Sequence, residues 1–330
     1  MPFRLSAKTV KAQLRYDLIG KDSQRGITLS YGWLANQCGH CMLGYIPTHL
    51  IYLLLYYGFN LDSATWLSAL IVSLIWTIFE YMNVRKPLKQ QKEEGALFEP
   101  DWKNIIHDTV TDLGFFIFGA LFAAIALGGS WILSIILLVH CLILYVASKK
   151  WYHTKIFQQA AEYPFQFRLS QWKWKMDEAY KTKVLAFLTD QGLGKHLLIS
   201  GEYKTGKTSL AVAIANELSI QHDACKYTTA IKLFSSFVEP DPTEPQVPYH
   251  IWGWRKANCL VIDDINTGLS GAAELISPEI FLQHVQSGSY ASENIKALKQ
   301  LNVIWVLGDV SSVGVMTLQL NWKTMMHQLG

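Results

Sequence analysis

Residues 201–208 read GEYKTGKT, which satisfies GxxxxGK[ST] at every required position. This spacing suits the binding of a polyphosphate. The glycines Gly201 and Gly206 let backbone N–H groups curl around phosphate oxygens, Lys207 reaches the β and γ phosphates, and the Thr208 hydroxyl is a ligand for Mg2+. Lys204, Thr205 and Ser209 complete the set expected to touch a nucleotide. A helix starting at the end of the loop adds the positive end of its dipole.

A second constellation lies further along. Residues 259–264 read CLVIDD, an apolar run ending in two carboxylates. Asp263 is expected to share Mg2+ with Thr208, and Asp264 stands where an acid can activate water. A third apolar run, 302–307, precedes Gly308 and Asp309. Asp309, or Ser311 or Ser312 beyond it, is a candidate γ-phosphate sensor, and the alternative is a plain loop after a core strand. Asn266 is a weaker candidate. Arg255, within WGWRK, has two readings: it reaches the phosphates of a neighbouring copy, or it stacks on Trp252 or Trp254.

These side chains need elements to hold them. Residues 196–200, HLLIS, read as a buried strand running straight into the loop, and 209–218 as a helix running out of it. A helix is predicted over 176–189. Strands alternating with helices call for an α/β domain with a mainly parallel sheet.

The stretch from His196 to Asp309 resembles the P-loop NTPases with an extra strand between Walker A and Walker B, the branch that holds AAA+, STAND and KAP ATPases. SGEYKTGKTSLAVAIANEL is similar to the helicase-loader and transposition-helper ATPases of the AAA+ group. The resemblance implies ATP and Mg2+ as cofactors, hydrolysis of ATP, and assembly of several copies. There are departures. Leu269-Ser270-Gly271 follows Walker B instead of preceding it, which argues against an ABC transporter, and no NKxD motif marks a GTPase. The stretch after Gly308 is too short for a helical lid, and Arg255 is the one arginine beyond Arg168. With Asp264 where a Glu is usual, nucleotide binding is better supported than fast turnover.

The first half of the chain has a different chemistry. Of 330 residues only 17% are charged, against roughly 25% in soluble domains. The 29 Lys and Arg nearly balance the 26 Asp and Glu, so charge gives no support for a nucleic-acid partner. Five cysteines are too few for a disulfide scaffold and fit a reducing compartment. Four apolar stretches, 42–59, 64–82, 113–127 and 131–147, approach the roughly 20 residues needed to cross a bilayer.

Their connections at 60–63 and 128–130 carry no Lys or Arg. The other flanks do: Arg4, Lys8, Lys11, Arg15, Lys21 and Arg25 come first, Arg85, Lys86, Lys89, Lys92 and Lys103 lie between the hairpins, and Lys149, Lys150 and Lys155 follow the last stretch. The positive-inside rule then puts both termini in the cytoplasm. The first 25 residues lack the apolar core of a cleavable signal peptide. The alternative is that the four stretches are buried helices of a soluble core.

Residues 149–175 interleave Trp151, Tyr152, Phe157, Tyr163, Phe165, Phe167, Trp172 and Trp174 with basic groups and glutamines. They read as an elbow on the membrane surface, or as aromatics packed on the soluble domain. Cys38-Gly39-His40-Cys41 has the spacing of a redox or zinc motif, without two further ligands nearby. His49, His140 and Glu80 fall in apolar stretches. They mark a proton path, an ion path or a bound cofactor, or the histidines stay neutral and bond a neighbouring helix. His107, Asp108 and Asp112 precede the third stretch, where acids suit a helix N-terminus.

The predicted architecture is an α-helical transmembrane bundle of four spans plus a cytoplasmic α/β P-loop NTPase domain with a mainly parallel sheet. Its parts are a cytoplasmic segment (1–41), a membrane domain of two hairpins (42–148), the elbow (149–175) and the ATPase domain (176–330). The expected setting is the inner (cytoplasmic) membrane, with membrane lipid, further copies of the chain and a protein as partners. Such a chain is expected to be an ATP-binding switch or motor that couples nucleotide state to membrane helices or a partner. The alternative is a nucleotide-gated channel or membrane-disrupting effector of a stress or phage-defence system.

Overall fold

The computed structural model describes residues 5–19, 28–94, 97–190, 192–202, 204–241, 245, 250–265, 276–309 and 315–329, with side chains except at 87–94, 308–309, 315–320 and 329. Its contacts divide the chain into two compact units. One is Leu14–Gly95 with Glu99–His153; the other is Met1–Gln13, Ala96–Phe98 and Thr154–Gly330.

The helical unit takes the end of α1 (Ala7–Leu18) and then α2 (Leu29–Leu53), which continues as a π-helical turn, Leu54–Gly58. Next come α3 (Ala64–Glu94), α4 (Trp102–Gly128) and most of α5 (Trp131–Ala160). Four helices, Leu29–Gly58, Ala64–Lys86, Trp102–Gly128 and Trp131–Ala160, are long and apolar enough to cross a membrane. Their ends differ from those of the apolar stretches, mostly by extending past them. The first begins at Leu29 instead of residue 42. The third begins at Trp102, where the Asp101 carboxylate accepts from Asn104 N, and ends at the left-handed Gly129. The fourth carries on through 149–160, the first part of the expected elbow.

α4 is the centre of this unit: 39% of its apolar window is buried, against 6% for α5. Small residues make that possible. A Cβ on Gly44 of α2 would collide with the Phe116 carbonyl of α4, and one on Gly119 of α4 with the Cys41 carbonyl of α2. The two helices therefore meet backbone to backbone, the close approach that glycine allows in apolar surroundings. Pro47 lies inside α2 and has no N–H for the carbonyl one turn earlier, at Leu43. The indole N–H of Trp76 on α3 donates to that carbonyl at 3.0 Å, so the proline's lost bond is replaced by a tie between helices.

Besides the start of α1 and Ala96–Phe98, the α/β unit holds the end of α5 and α6 (Glu178–Thr189). β1 (His196–Gly201), α7 (Lys207–Ile220), β2 (Cys225–Thr229), α8 (Ala230–Phe237) and β3 (Cys259–Asp263) follow, then α9 (Pro278–Val285), α10 (Ala291–Gln300), β4 (Asn302–Asp309) and α11 (Val315–Leu329). The four strands form one parallel sheet in the order β1-β4-β3-β2. Parallel strands need helical crossovers and are buried on both faces. Accordingly Leu260, Val261, Ile262, Val303, Ile304 and Trp305 are fully enclosed. α7 is alanine-rich, and Ala211, Val212, Ala213, Ile214 and Ala215 have no exposed surface.

Several aromatics of 149–175 pack within the α/β unit. Phe157 stacks on His222 with ring centroids 5.3 Å apart and meets Trp252 at 5.2 Å. Trp172 is buried in the core of the α/β unit, together with Leu169 and Phe98. Phe165 and Trp174 stay exposed.

Candidate functional site

The glycine-rich loop joins β1 to α7. Its shape depends on two left-handed residues, Lys204 (φ 62°) and Gly206 (φ 82°), of which Gly206 is the N-cap of α7. No side chain caps that end, so the N–H groups of Lys207, Thr208 and Ser209 in the first turn are oriented toward whatever the loop encloses. Lys207 Nζ donates to the carbonyls of Gly201 (2.9 Å) and Glu202 (2.6 Å), folding its ammonium across the loop mouth. Thr205 Oγ1 donates to Glu202 O at 2.8 Å. A strand end, two left-handed residues, a lysine over the mouth and an uncapped helix N-terminus together fit a polyphosphate.

The strand register brings the other expected residues to the same edge of the sheet. Asp309 pairs with Gly201 at the C-terminal ends of β4 and β1. The Asp309 side chain, Asn266, the 269–271 tripeptide, Ser311 and Ser312 lie outside the described residues. Asp263 ends β3 opposite Thr229 of β2. With β4 between them, β3 and β1 stand about 10 Å apart at a strand spacing of roughly 4.8 Å.

Asp263 is 2% exposed, and both its oxygens are held. Oδ2 accepts from the Tyr227 hydroxyl at 2.7 Å and Oδ1 from Asp264 N at 2.8 Å. Burial, and then the Asp263 carboxylate beside it, push the Tyr227 phenol far above its ordinary range, so it remains a donor. Asp264 is exposed and left-handed (φ 52°). Partial burial and the neighbouring Asp263 charge raise its pKa.

Of the two readings of Arg255, the described contacts are those of a structural residue within its own chain. Each of its five N–H donors has an acceptor within its own unit: Asn294 Oδ1 (2.8 Å), Asp241 Oδ1 (3.0 Å), and the carbonyls of Glu239 (3.1 Å), Ser236 (3.0 Å) and Phe237 (3.3 Å). Its guanidinium also lies 4.8 Å from the Trp254 ring centroid, the stacking alternative. To reach a neighbour's phosphate, it would have to abandon all five bonds.

In the helical unit, His140 Nε2 bonds the Gly114 carbonyl at 2.7 Å, tying α5 to α4. His49 stacks loosely on Tyr45, and its buried Nδ1 has no hydrogen-bond partner. Cys38 and Cys41 are free thiols. Among the described residues, no three His, Cys, Asp or Glu side chains are grouped to hold a metal ion.

Three relationships escaped the sequence reading: the Tyr227–Asp263 bond, the seating of Trp172 and Trp174 against Gly206, and the His40–Asp112 contact (3.3 Å) between α2 and α4. The first had a faint signal. A tyrosine two residues before the end of a neighbouring parallel strand lies diagonally across from that strand's last carboxylate. Compared with protein-family models and with curated proteins, the chain matches none.

Proposed function

We propose that this chain is a membrane-anchored ATP-binding protein whose α/β unit holds the phosphates at residues 201–208 and responds to nucleotide as a switch. The observation that carries this reading is the loop itself: a GxxxxGKT sequence between β1 and the uncapped N-terminus of α7, with Lys207 folded over its mouth. Asp263 on the same sheet edge and the order β1-β4-β3-β2, with one strand between the two motif strands, support assignment to the additional-strand P-loop NTPases. Mg2+, when bound, would neutralise phosphate charge, and Thr208 and Asp263 are the residues that would hold it. Asp264 would take the proton of an attacking water. With Arg255 held inside its own unit, hydrolysis would be slow.

The four long apolar helices would anchor the protein, and their one-sided basic flanks would keep the α/β unit and both termini in the cytoplasm. Nucleotide state would pass from α7 to these helices or to a protein partner. The test is equilibrium binding of Mg2+–ATP to the detergent-solubilised full chain and to its Lys207→Ala variant. Loss of binding with unchanged circular dichroism is expected; an unaltered affinity would remove the site assignment.

A further inference from the structure

A loop that holds phosphates leaves the rest of a nucleotide to be bound elsewhere, and the surface beside Gly206 is aromatic. A Cβ built on Gly206 would stand 3.1 and 3.3 Å from Cη2 and Cζ3 of Trp172, and 3.8 Å from Cδ2 of Trp174. Trp172 is 3% exposed and fixed by its backbone: its N–H donates to Leu169 O at 2.9 Å and its carbonyl accepts from Leu97 N at 3.2 Å. Trp174 leans on it, with ring centroids 4.6 Å apart and planes at 54°, and Phe167 backs Trp174 at 6.2 Å. Yet Trp174 is 46% exposed. A buried indole thus supports a half-open one at the rim of the phosphate loop. The cost of exposing so large an apolar ring is offset when a flat ligand covers it.

We propose that Trp174, braced by Trp172 and Phe167, is the stacking platform for the base of the nucleotide. This rests on the reading of residues 201–208 as the phosphate site and adds what that reading lacks, the subsite for the rest of the ligand. Stacking draws on the π face that every base has, so it ranks ligands by ring area and not by hydrogen-bond pattern. Purine triphosphates bind more tightly than pyrimidine triphosphates. Inorganic tripolyphosphate, with no ring, gains nothing from Trp174.

The experiment is calorimetric titration of the full chain in detergent with Mg2+–ATP and with Mg2+–tripolyphosphate, for the parent, Trp174→Ala, Trp174→Leu, Trp174→Phe and Lys207→Ala. Trp174→Ala is expected to weaken ATP about tenfold, the scale of one lost base–aromatic stack, while leaving tripolyphosphate unchanged. If the alanine variant does not fold, the leucine and phenylalanine variants decide: both fill the space and only phenylalanine stacks, so phenylalanine retains ATP affinity and leucine loses it. Three results overturn the platform: ATP affinity unaffected by removing the indole, ATP and tripolyphosphate weakened equally, or leucine binding ATP as well as phenylalanine. Failure of the phosphate reading has its own signature, no tripolyphosphate binding by the parent or none lost in Lys207→Ala, and the platform falls with it.

Discussion

The Tyr227 hydroxyl donates to Asp263 Oδ2 at 2.7 Å, from the strand next to the one that ends in this aspartate. With the Asp264 amide on Oδ1, this holds both oxygens of the carboxylate. Tyr227→Phe removes one bond and keeps the ring. The half-saturating Mg2+ concentration for ATP binding is expected to rise several-fold, with a stability loss of about 1 kcal/mol. A magnesium titration at fixed ATP reads it, and an unmoved midpoint would show that the hydroxyl has no part in orienting Asp263.

Asp264 makes stability depend on pH. Its folded-state pKa is raised by partial burial and by Asp263, above an ordinary aspartate value of roughly 3.9. The folded protein therefore binds that proton more tightly than the unfolded chain does. The associated stability is complete below the ordinary value and is lost as pH rises through the folded one. Asp264→Asn removes the penalty, so its melting temperature should exceed the parent's at pH 7 and match it near pH 3. Equal melting temperatures at both pH values would contradict this.

Arg255 separates a structural role from a catalytic one. Its side chain is 7% exposed, and lysine cannot reproduce its five-donor fork. Arg255→Lys should cost about 2–3 kcal/mol of stability. In the protein that does fold, hydrolysis per bound nucleotide should be unchanged. A stable variant that binds ATP but has lost turnover would restore the trans-acting reading.

Two glycines in α2, Gly39 and Gly44, should respond differently. Gly44 touches the α4 backbone, whereas a Cβ on Gly39 would meet nothing within 4 Å. Gly44→Ala must push α2 from α4, at a cost of about 1–3 kcal/mol. Gly39→Ala should be neutral, or stabilising by up to about 1 kcal/mol. Thermal unfolding in detergent checks both, and equal effects would contradict the backbone contact.

The turn between β1 and α7 was legible because its glycines fall at fixed local spacing between an apolar run and an apolar helix, and 259–263 because a buried parallel strand is a continuous apolar run. Helix ends were less legible. Hydropathy marks the apolar middle of a helix, while Asp101 and Gly129 set where α4 starts and stops. Arg255 had both of its contexts written in WGWRK. Its bonds to Asp241 and Asn294 are to distant partners that no local pattern reveals. The seating of Trp172 and Trp174 against Gly206 was hidden for the same reason: their neighbour is brought close only by the fold.

Whether nucleotide binds at the loop between β1 and α7 is read by photolabelling the full chain with azido-ATP, followed by peptide mapping. The predicted result is label on or beside residues 201–209 and on the Trp172–Trp174 segment, displaced by excess ATP and absent from Lys207→Ala. Label confined to other peptides, or undiminished in Lys207→Ala, would contradict it.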